Sequence, residues 1–311
     1  GEAKNDTLNL RKRSVVQFNV AKNTENIVAS TFERKLLIFP DCVSMDFRPA
    51  ASNPISALGT TYPNLHMASV YGSRVFGVDS NLVYASAYND YANWDLDTAD
   101  NTSSAHAWVS MSQSNVKADG EFTGIYTYDN HVVLFKKDFM QLVYNNKNPF
   151  RIVDVGAYGA DNPYAIAEAN GVLYFASSDG VYAFGGGTPK LVSTSLGLQN
   201  FTGAVLGGYK NTLYAQIGNT LYRIRNGTWS GSTPAHNVKQ FAANDNGLYG
   251  LLDNGDIVMI RSADADNIDT DSSDTTFDPD DYGDWWFETD LMFGGRLDIR
   301  RAKKITLLGE I

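Results

Sequence analysis

The sequence holds only one cysteine, Cys42, and four histidines, His66, His106, His131 and His236, among its 311 residues. A single cysteine excludes an intramolecular disulfide and any zinc site built on cysteine pairs, so packing must hold the fold together. Cys42 sits in the apolar run Cys42-Val43-Ser44-Met45 and reads as a small buried hydrophobe. The histidines are scattered, with no pair at metal-ligand spacing. No stretch approaches eighteen uninterrupted apolar residues, which excludes a membrane-spanning helix. An Arg/Lys-led apolar segment with a small-residue cleavage site is also missing, so no signal peptide is visible. Motifs of the HExxH, GxSxG, P-loop and dinucleotide-binding kinds are missing as well.

Excess charge of one sign is nearly missing once position is considered. The net charge is −10, yet residues 262 to 284 alone carry nine Asp and no Lys or Arg. The remaining 26 acidic residues face 25 basic ones, so the body is close to neutral. A broad nucleic-acid face needs clustered Lys and Arg to displace counterions, and none is expected here. The short groups Arg11-Lys12-Arg13 and Arg300-Arg301-Ala302-Lys303-Lys304 read as solvated strand flanks.

What the sequence does contain is repetition. Asn170-Gly171 leads into Val172-Leu173-Tyr174-Phe175-Ala176, then Ser178-Asp179-Gly180, then Val181-Tyr182-Ala183-Phe184. Asn-Gly and Asp-Gly pairs between apolar runs mark hairpins, because these residues accept the positive φ of tight turns. The same order of turn, strand, turn, strand recurs from Gly72-Ser73, Asp129-Asn130, Lys210-Asn211 and Asn246-Gly247, and more weakly around Leu36-Leu37-Ile38-Phe39. Leu37, Val75, Val133, Leu173, Leu213 and Leu248 are the equivalent positions, at intervals of 38, 58, 40, 40 and 35 residues. A period near 40 is one four-stranded blade, which predicts an all-β fold, a β-propeller of six recognisable blades. The long interval predicts an insertion at 96–118, a polar stretch that would project from the disc. The acidic stretch at 262–284 is a second insertion.

Each copy is preceded by a strand often rich in Gly and Ala, such as Gly203-Ala204-Val205-Leu206-Gly207, while Trp94, Trp229, Trp285 and Trp286 come late. Small residues suit strands converging on an axis, and bulk suits the rim. Ser14–Val20 and the last twelve residues both read as strands at the ring seam, completing blade six or building a seventh. The chain stops within the apolar run 305–311, which gives the expectation of a single propeller domain, 1–311, cut from a longer polypeptide.

Candidate chemistry is sparse. Asp264-Ala265-Asp266-Asn267-Ile268-Asp269-Thr270-Asp271 spaces oxygen ligands as calcium prefers, but it lacks the Gly of the sharp turn and the closing Glu, and reads as a solvated loop. Gly185-Gly186-Gly187 has no following helix to hold a phosphate and reads as a turn. Asn101, Asn200 and Asn226 begin glycosylation sequons, which arise by chance at this composition. The tyrosines between Tyr84 and Tyr91 fill gaps between blades or stack on sugars. A carboxylate pair for glycoside hydrolysis would come from positions distant in sequence. No catalytic, cofactor-binding or metal-binding residue is assigned, and the chain is expected not to be an enzyme.

Several phrases together resemble the β-propeller structural proteins of tailed bacteriophages, components of the head–tail junction or of the tail tube and nozzle. They are Val83-Tyr84-Ala85-Ser86-Ala87 through Asp90 to Trp94; Thr123-Gly124-Ile125 with Val133-Leu134-Phe135-Lys136-Lys137; Pro149-Phe150-Arg151-Ile152-Val153-Asp154-Val155-Gly156 with Gly159; residues 170 to 186; and Trp286-Phe287-Glu288-Thr289 with Lys303-Lys304-Ile305. The copy at 27–47 fits this pattern poorly, and the acidic stretch is not part of it. The resemblance implies an assembly scaffold of a phage or prophage virion, made in the bacterial cytoplasm. Its implied partners are other virion proteins and copies of itself, with no nucleic acid, membrane or cofactor. A carbohydrate- or receptor-binding propeller of a bacterial surface protein is the alternative, and a glycan-cleaving propeller is a third reading.

Overall fold

The structure, a computed structural model, describes residues 14–20, 33–46, 55–58, 61–96, 102–110, 120–145, 147–197, 199–225, 227–262 and 285–287. These residues form six antiparallel meander sheets, the blades of a six-bladed β-propeller. Blade 1 holds β1 (Ser14–Val20), β2 (Glu33–Phe39), β3 (Val43–Asp46) and β4 (Ile55–Ala57). Blade 2 holds β5 (Met67–Tyr71), β6 (Arg74–Asp79), β7 (Leu82–Ala85) and β8 (Trp108–Val109). In blade 3 these are β9 (Gly124–Tyr128), β10 (His131–Phe135), β11 (Met140–Tyr144) and β12 (Arg151–Gly156). Blade 4 follows with β13 (Ile166–Ala169), β14 (Val172–Ser177), β15 (Gly180–Phe184) and β16 (Lys190–Leu191). Blade 5 contains β17 (Val205–Tyr209), β18 (Thr212–Ile217), β19 (Thr220–Arg225) and β20 (Thr228–Ser232). Blade 6 has β21 (Val238–Asn244), β22 (Gly247–Leu252) and β23 (Ile257–Ser262). The last described strand, β24 (Trp285–Phe287), adds to the outer edge of blade 5 by pairing with β20, Ser230 opposite Phe287 and Ser232 opposite Trp285.

Four blades are therefore four-stranded as expected, whereas blade 5 has five strands and blade 6 three among the described residues. Ser14–Val20 is the first strand of blade 1 rather than part of a seventh blade. The last twelve residues, both terminal basic groups and the 263–284 part of the acidic stretch lie outside the described residues.

The first strands β1, β5, β9, β13, β17 and β21 neighbour one another in chain order and so stand nearest the axis. Close approach explains their small residues. A Cβ on Gly124 would strike Ile166, one on Gly207 would strike Phe241, and one on Gly208 would strike the Glu168 carbonyl oxygen. Where side chains are kept, they bond across the gap: the Ser69 and Thr127 hydroxyls lie 2.6 Å apart, and Thr127 also donates to the Val70 carbonyl at 2.9 Å.

The second strands carry the repeat. Leu37, Val75, Val133, Leu173, Leu213 and Leu248 are each at most 1% exposed. Four apolar clusters fill the gaps between successive blades from 1 to 5, and strand alternation divides the side chains among them. In β10, Val132 and Leu134 face blade 2, while Val133 and Phe135 face blade 4. Both faces of an inner strand are thus buried, which is why these strands read as continuous apolar runs. Burying one such Val or Leu contributes about 1.5–3 kcal/mol.

The gap between blades 5 and 6 is polar on the side of the β18–β19 turn. Buried Gln216 donates to the Gly218 carbonyl and to the Asn237 side chain, both at 3.0 Å, and accepts from the Val238 backbone at 3.2 Å. Helix is confined to two three-residue 3-10 turns among the described residues, at Pro163–Ala165 and Thr194–Leu196. No helix among the described residues is long and apolar enough to cross a membrane.

Candidate interaction surface

Of the polar stretch 96–118, residue 96 and residues 102–110 are described, and the rest lies outside the described residues. Residues 102–110 contain β8, the outermost strand of blade 2, and here Trp108 and Ala107 are buried against blades 3 and 1 respectively, so this part packs on the blades instead of projecting. The physical reason is a pair of polar side chains that gather the backbone of this stretch. Arg74, at the start of β6, is only 1% exposed. Its guanidinium donates to the carbonyls of Ser86, Ser104 (3.1 Å) and His106 (3.3 Å), and lies 5.4 Å from the Phe150 ring centre. Burial lowers the Arg74 pKa to about 10, which leaves it charged at neutral pH. Planar, weakly hydrated guanidinium suits such a site, where carbonyl dipoles and an aromatic face replace water.

Asn148 completes the attachment from the other side. Its amide donates to the Ser103 carbonyl at 2.9 Å and the His106 carbonyl at 3.3 Å. Phe150 then packs edge-on against Phe76 and Trp108, with centroids 5.0 and 5.3 Å away. Backbone bonds tie the returning strand of the loop to its outgoing half: Tyr88 to Ser104, Ala107 to Asp95, and the Asn93 side chain to Ala105. Residues 86–96 and 102–106 are thus tied together over blade 2, with Tyr88 51% and Leu96 43% exposed at the surface.

The phrase Ser86…Asp90…Trp94 acquires a local meaning here. The Ser86 hydroxyl accepts from the Val75 backbone at 3.0 Å, Asp90 accepts from Ala92 at 2.9 Å, and the Trp94 indole donates to the Tyr91 carbonyl at 2.8 Å. The tyrosines divide. Tyr84 and Tyr91 pack in the gap between blades 1 and 2, beside Tyr62, whose hydroxyl is buried and bonded to the Tyr91 carbonyl. Burial pushes the Tyr62 and Tyr84 hydroxyls above the ordinary range. Tyr88 faces solvent.

The other candidates stay apart. Cys42 is half-buried in the β2–β3 turn, its thiol 3.8 Å from the Pro63 carbonyl and pushed up by burial. His131 contacts the Asp129 carbonyl at 2.7 Å in blade 3, and His236 pairs with Asp253 at 3.0 Å beside blade 6, whereas His66 and His106 precede strands of blade 2. Gly185-Gly186-Gly187 is an exposed bend, and Asn200 accepts from the Thr202 backbone in a local turn. Asn101, Asn226 and the Asp264–Asp271 candidate lie outside the described residues. No group of three or more His, Cys, Asp or Glu gathers at metal-binding distance among the described residues. Sequence reasoning did not find Arg74 or Asn148, since an Arg at a strand start reads as solvated; its place directly after the Gly72-Ser73 turn was the one available signal.

No protein-family model and no curated protein matches the chain. Among solved structures it is similar to virginiamycin B lyase from Staphylococcus aureus, at 11% identity and a TM-score of 0.45, over 79% of this chain and 87% of that one. A second is the extracellular domain of the putative one component system BT4673 from B. thetaiotaomicron, at 11% identity and a TM-score of 0.45, over 78% of this chain and 34% of that one. A third is PorZ of Porphyromonas gingivalis, at 15% identity and a TM-score of 0.44, over 72% of this chain and 29% of that one. The chain thus spans about a third of BT4673 and of PorZ. Likeness at this level transfers no activity, and the propeller assignment rests on the six sheets themselves.

Proposed function

We propose that this protein is a non-enzymatic structural component of a phage or prophage virion, a rigid scaffold that binds neighbouring virion proteins and copies of itself. One observation carries the reading. Arg74 and Asn148 hold four backbone contacts to residues 103–106 from inside the scaffold, so this segment over blade 2 is preorganised for contact. Ordering a loop before it meets its partner removes an entropic cost from binding. Loops carried on a rigid framework are also where contacts concentrate. The phrases that resemble tail propellers, running from Val83 to Ile305, support the choice of partner class.

The test is incorporation into particles. Replacing Tyr88 and Leu96 together by Ser removes side chains that are each about half exposed, so folding stability should fall by no more than about 1–2 kcal/mol and the six blades should persist. Virions assembled with this variant should lose the protein, and cross-links from residues 86–106 to other virion proteins should disappear. A glycan array with tight, selective hits would favour the carbohydrate-binding alternative instead. Turnover of a glycan that ends on changing one carboxylate would favour the hydrolase.

A further inference from the structure

Strand β23 carries apolar side chains at its surface. Ile257 is 74% exposed and Met259 51%, and alternation places both on one face of the strand. Leu251 and Tyr249 lie directly across from them in β22, each half-buried, so the four form one apolar stripe. Phe241, Gly250 and Val258 share the alternate face, and Phe241 lies against Gly207 of β17. The stripe therefore looks away from blade 5. Single exposed hydrophobes are ordinary, but two at alternate positions on one strand face suit a further strand beside them.

We propose that residues 305–311 of this chain, which lie outside the described residues, dock beside this stripe as a fourth strand of blade 6. Ile305-Thr306-Leu307-Leu308-Gly309-Glu310-Ile311 alternates as such a strand must, with Ile305, Leu307 and Ile311 on one side and Thr306 and Glu310 on the other. The apolar side matches Ile257 and Met259. Position selects the blade. Blades 1 to 4 have four strands each, blade 5 has β24 as a fifth, and blade 6 has three among the described residues. β24 ends at Phe287 on the outer edge of blade 5, one blade away from the stripe. The 17 residues from 288 to 304 can extend about 55 Å, whereas packed sheets lie only about 10 Å apart. A strand there also caps the outer side of blade 6, where an uncovered edge would invite pairing with another chain.

The experiment reads Met259 in the full chain. Dilute hydrogen peroxide converts accessible methionine to its sulfoxide, and peptide mass mapping gives a rate for each methionine. Met140, fully buried in blade 3, is the slow reference. Met259 should oxidise about fivefold more slowly in the parent than in Leu307→Asp, with matching circular dichroism spectra. Equal rates in the two proteins would overturn the proposal. Protection that disappears on dilution would make a second copy of the chain the occupant, and would overturn it too. Hydrogen exchange of the unsubstituted chain needs no variant at 307. The amides of 305–311 should exchange about tenfold more slowly than in the free peptide, and exchange at the free-peptide rate would overturn the proposal. Ile257→Asp, a change at an exposed position, should remove that protection. If the protection survives, the segment docks elsewhere and the proposal fails.

Discussion

Gly208 lies against the Glu168 carbonyl so closely that a Cβ at position 208 would overlap the oxygen. The obstacle is backbone, not a movable side-chain tip, so β13 and β17 would have to part. Overpacking of this kind costs about 1–3 kcal/mol. Gly208→Ala should therefore lower folding stability by at least that amount, read as a lower denaturation midpoint. Gly185→Ala, where nothing lies within 4 Å, should stay within about 0.5 kcal/mol of the parent. Equal midpoints for the two variants would show that the first strands do not pack as described.

The parts of this architecture that the sequence made legible are those fixed by short-range rules. The hairpin between β13 and β14 follows from Asn170 and Gly171, with φ of 52° and 71°, because few other residues accept that backbone. The six repeat positions were readable because a strand buried on both faces must be apolar throughout. The fourth strands were harder: β8 and β16 are two residues each, too short for any period to show. Pairing of β24 with β20 joins residues some 55 apart, and nothing local specifies it.

Arg74 is the member of the loop attachment whose loss should be felt most. Removing it takes a donor from the buried Ser86 carbonyl, at about 1–3 kcal/mol if that group is left unsatisfied, while the Ser104 carbonyl keeps the Tyr88 N–H and the His106 carbonyl keeps Asn148. Arg74→Met should lower stability by about 1–3 kcal/mol and open residues 102–106 to proteolysis while the six blades persist. Arg74→Lys should recover little, since an ammonium cannot reach carbonyls on two sides as the guanidinium fork does. Limited proteolysis with mass mapping reads this directly, and an uncut loop in Arg74→Met would argue against the attachment.

Three serines, two in blade 2 and one in blade 4, perform one task, and substitution should expose it. Ser110 and Ser193 follow the fourth strands of blades 2 and 4, and their hydroxyls accept from the third-strand amides of Val83 at 2.9 Å and Val181 at 3.0 Å. Ser86 does the same for Val75. Each hydroxyl substitutes for a ladder partner where the outer strand is too short to supply one. Ser110→Ala and Ser193→Ala should each cost about 1–3 kcal/mol by leaving a buried amide unpaired. Because the two lie in separate blades, the double variant should show the sum. Amide hydrogen exchange at Val83 and Val181 should quicken in the matching variant alone.

At the alkaline end, Tyr182 sets the expected pH dependence. Its ring stacks on Phe175 with centroids 5.4 Å apart, and its hydroxyl donates to Asp179 at 2.7 Å. Burial first, then that bond and the Asp179 charge, raise its pKa to about 12. An unfolded tyrosine ionises near pH 10. Between these two values the folded chain holds a proton that the unfolded chain has lost, so stability falls as pH rises. Below about pH 10 both states are protonated, and Tyr182 adds no slope. Tyr182→Phe should therefore flatten the decline in denaturation midpoint between about pH 10 and pH 12 while leaving the neutral value little changed. Asp179→Asn should act in the same direction but more weakly, because the burial of the ring remains. If Tyr182→Phe left the alkaline slope intact, the other buried tyrosines, Tyr62 foremost, would have to carry it.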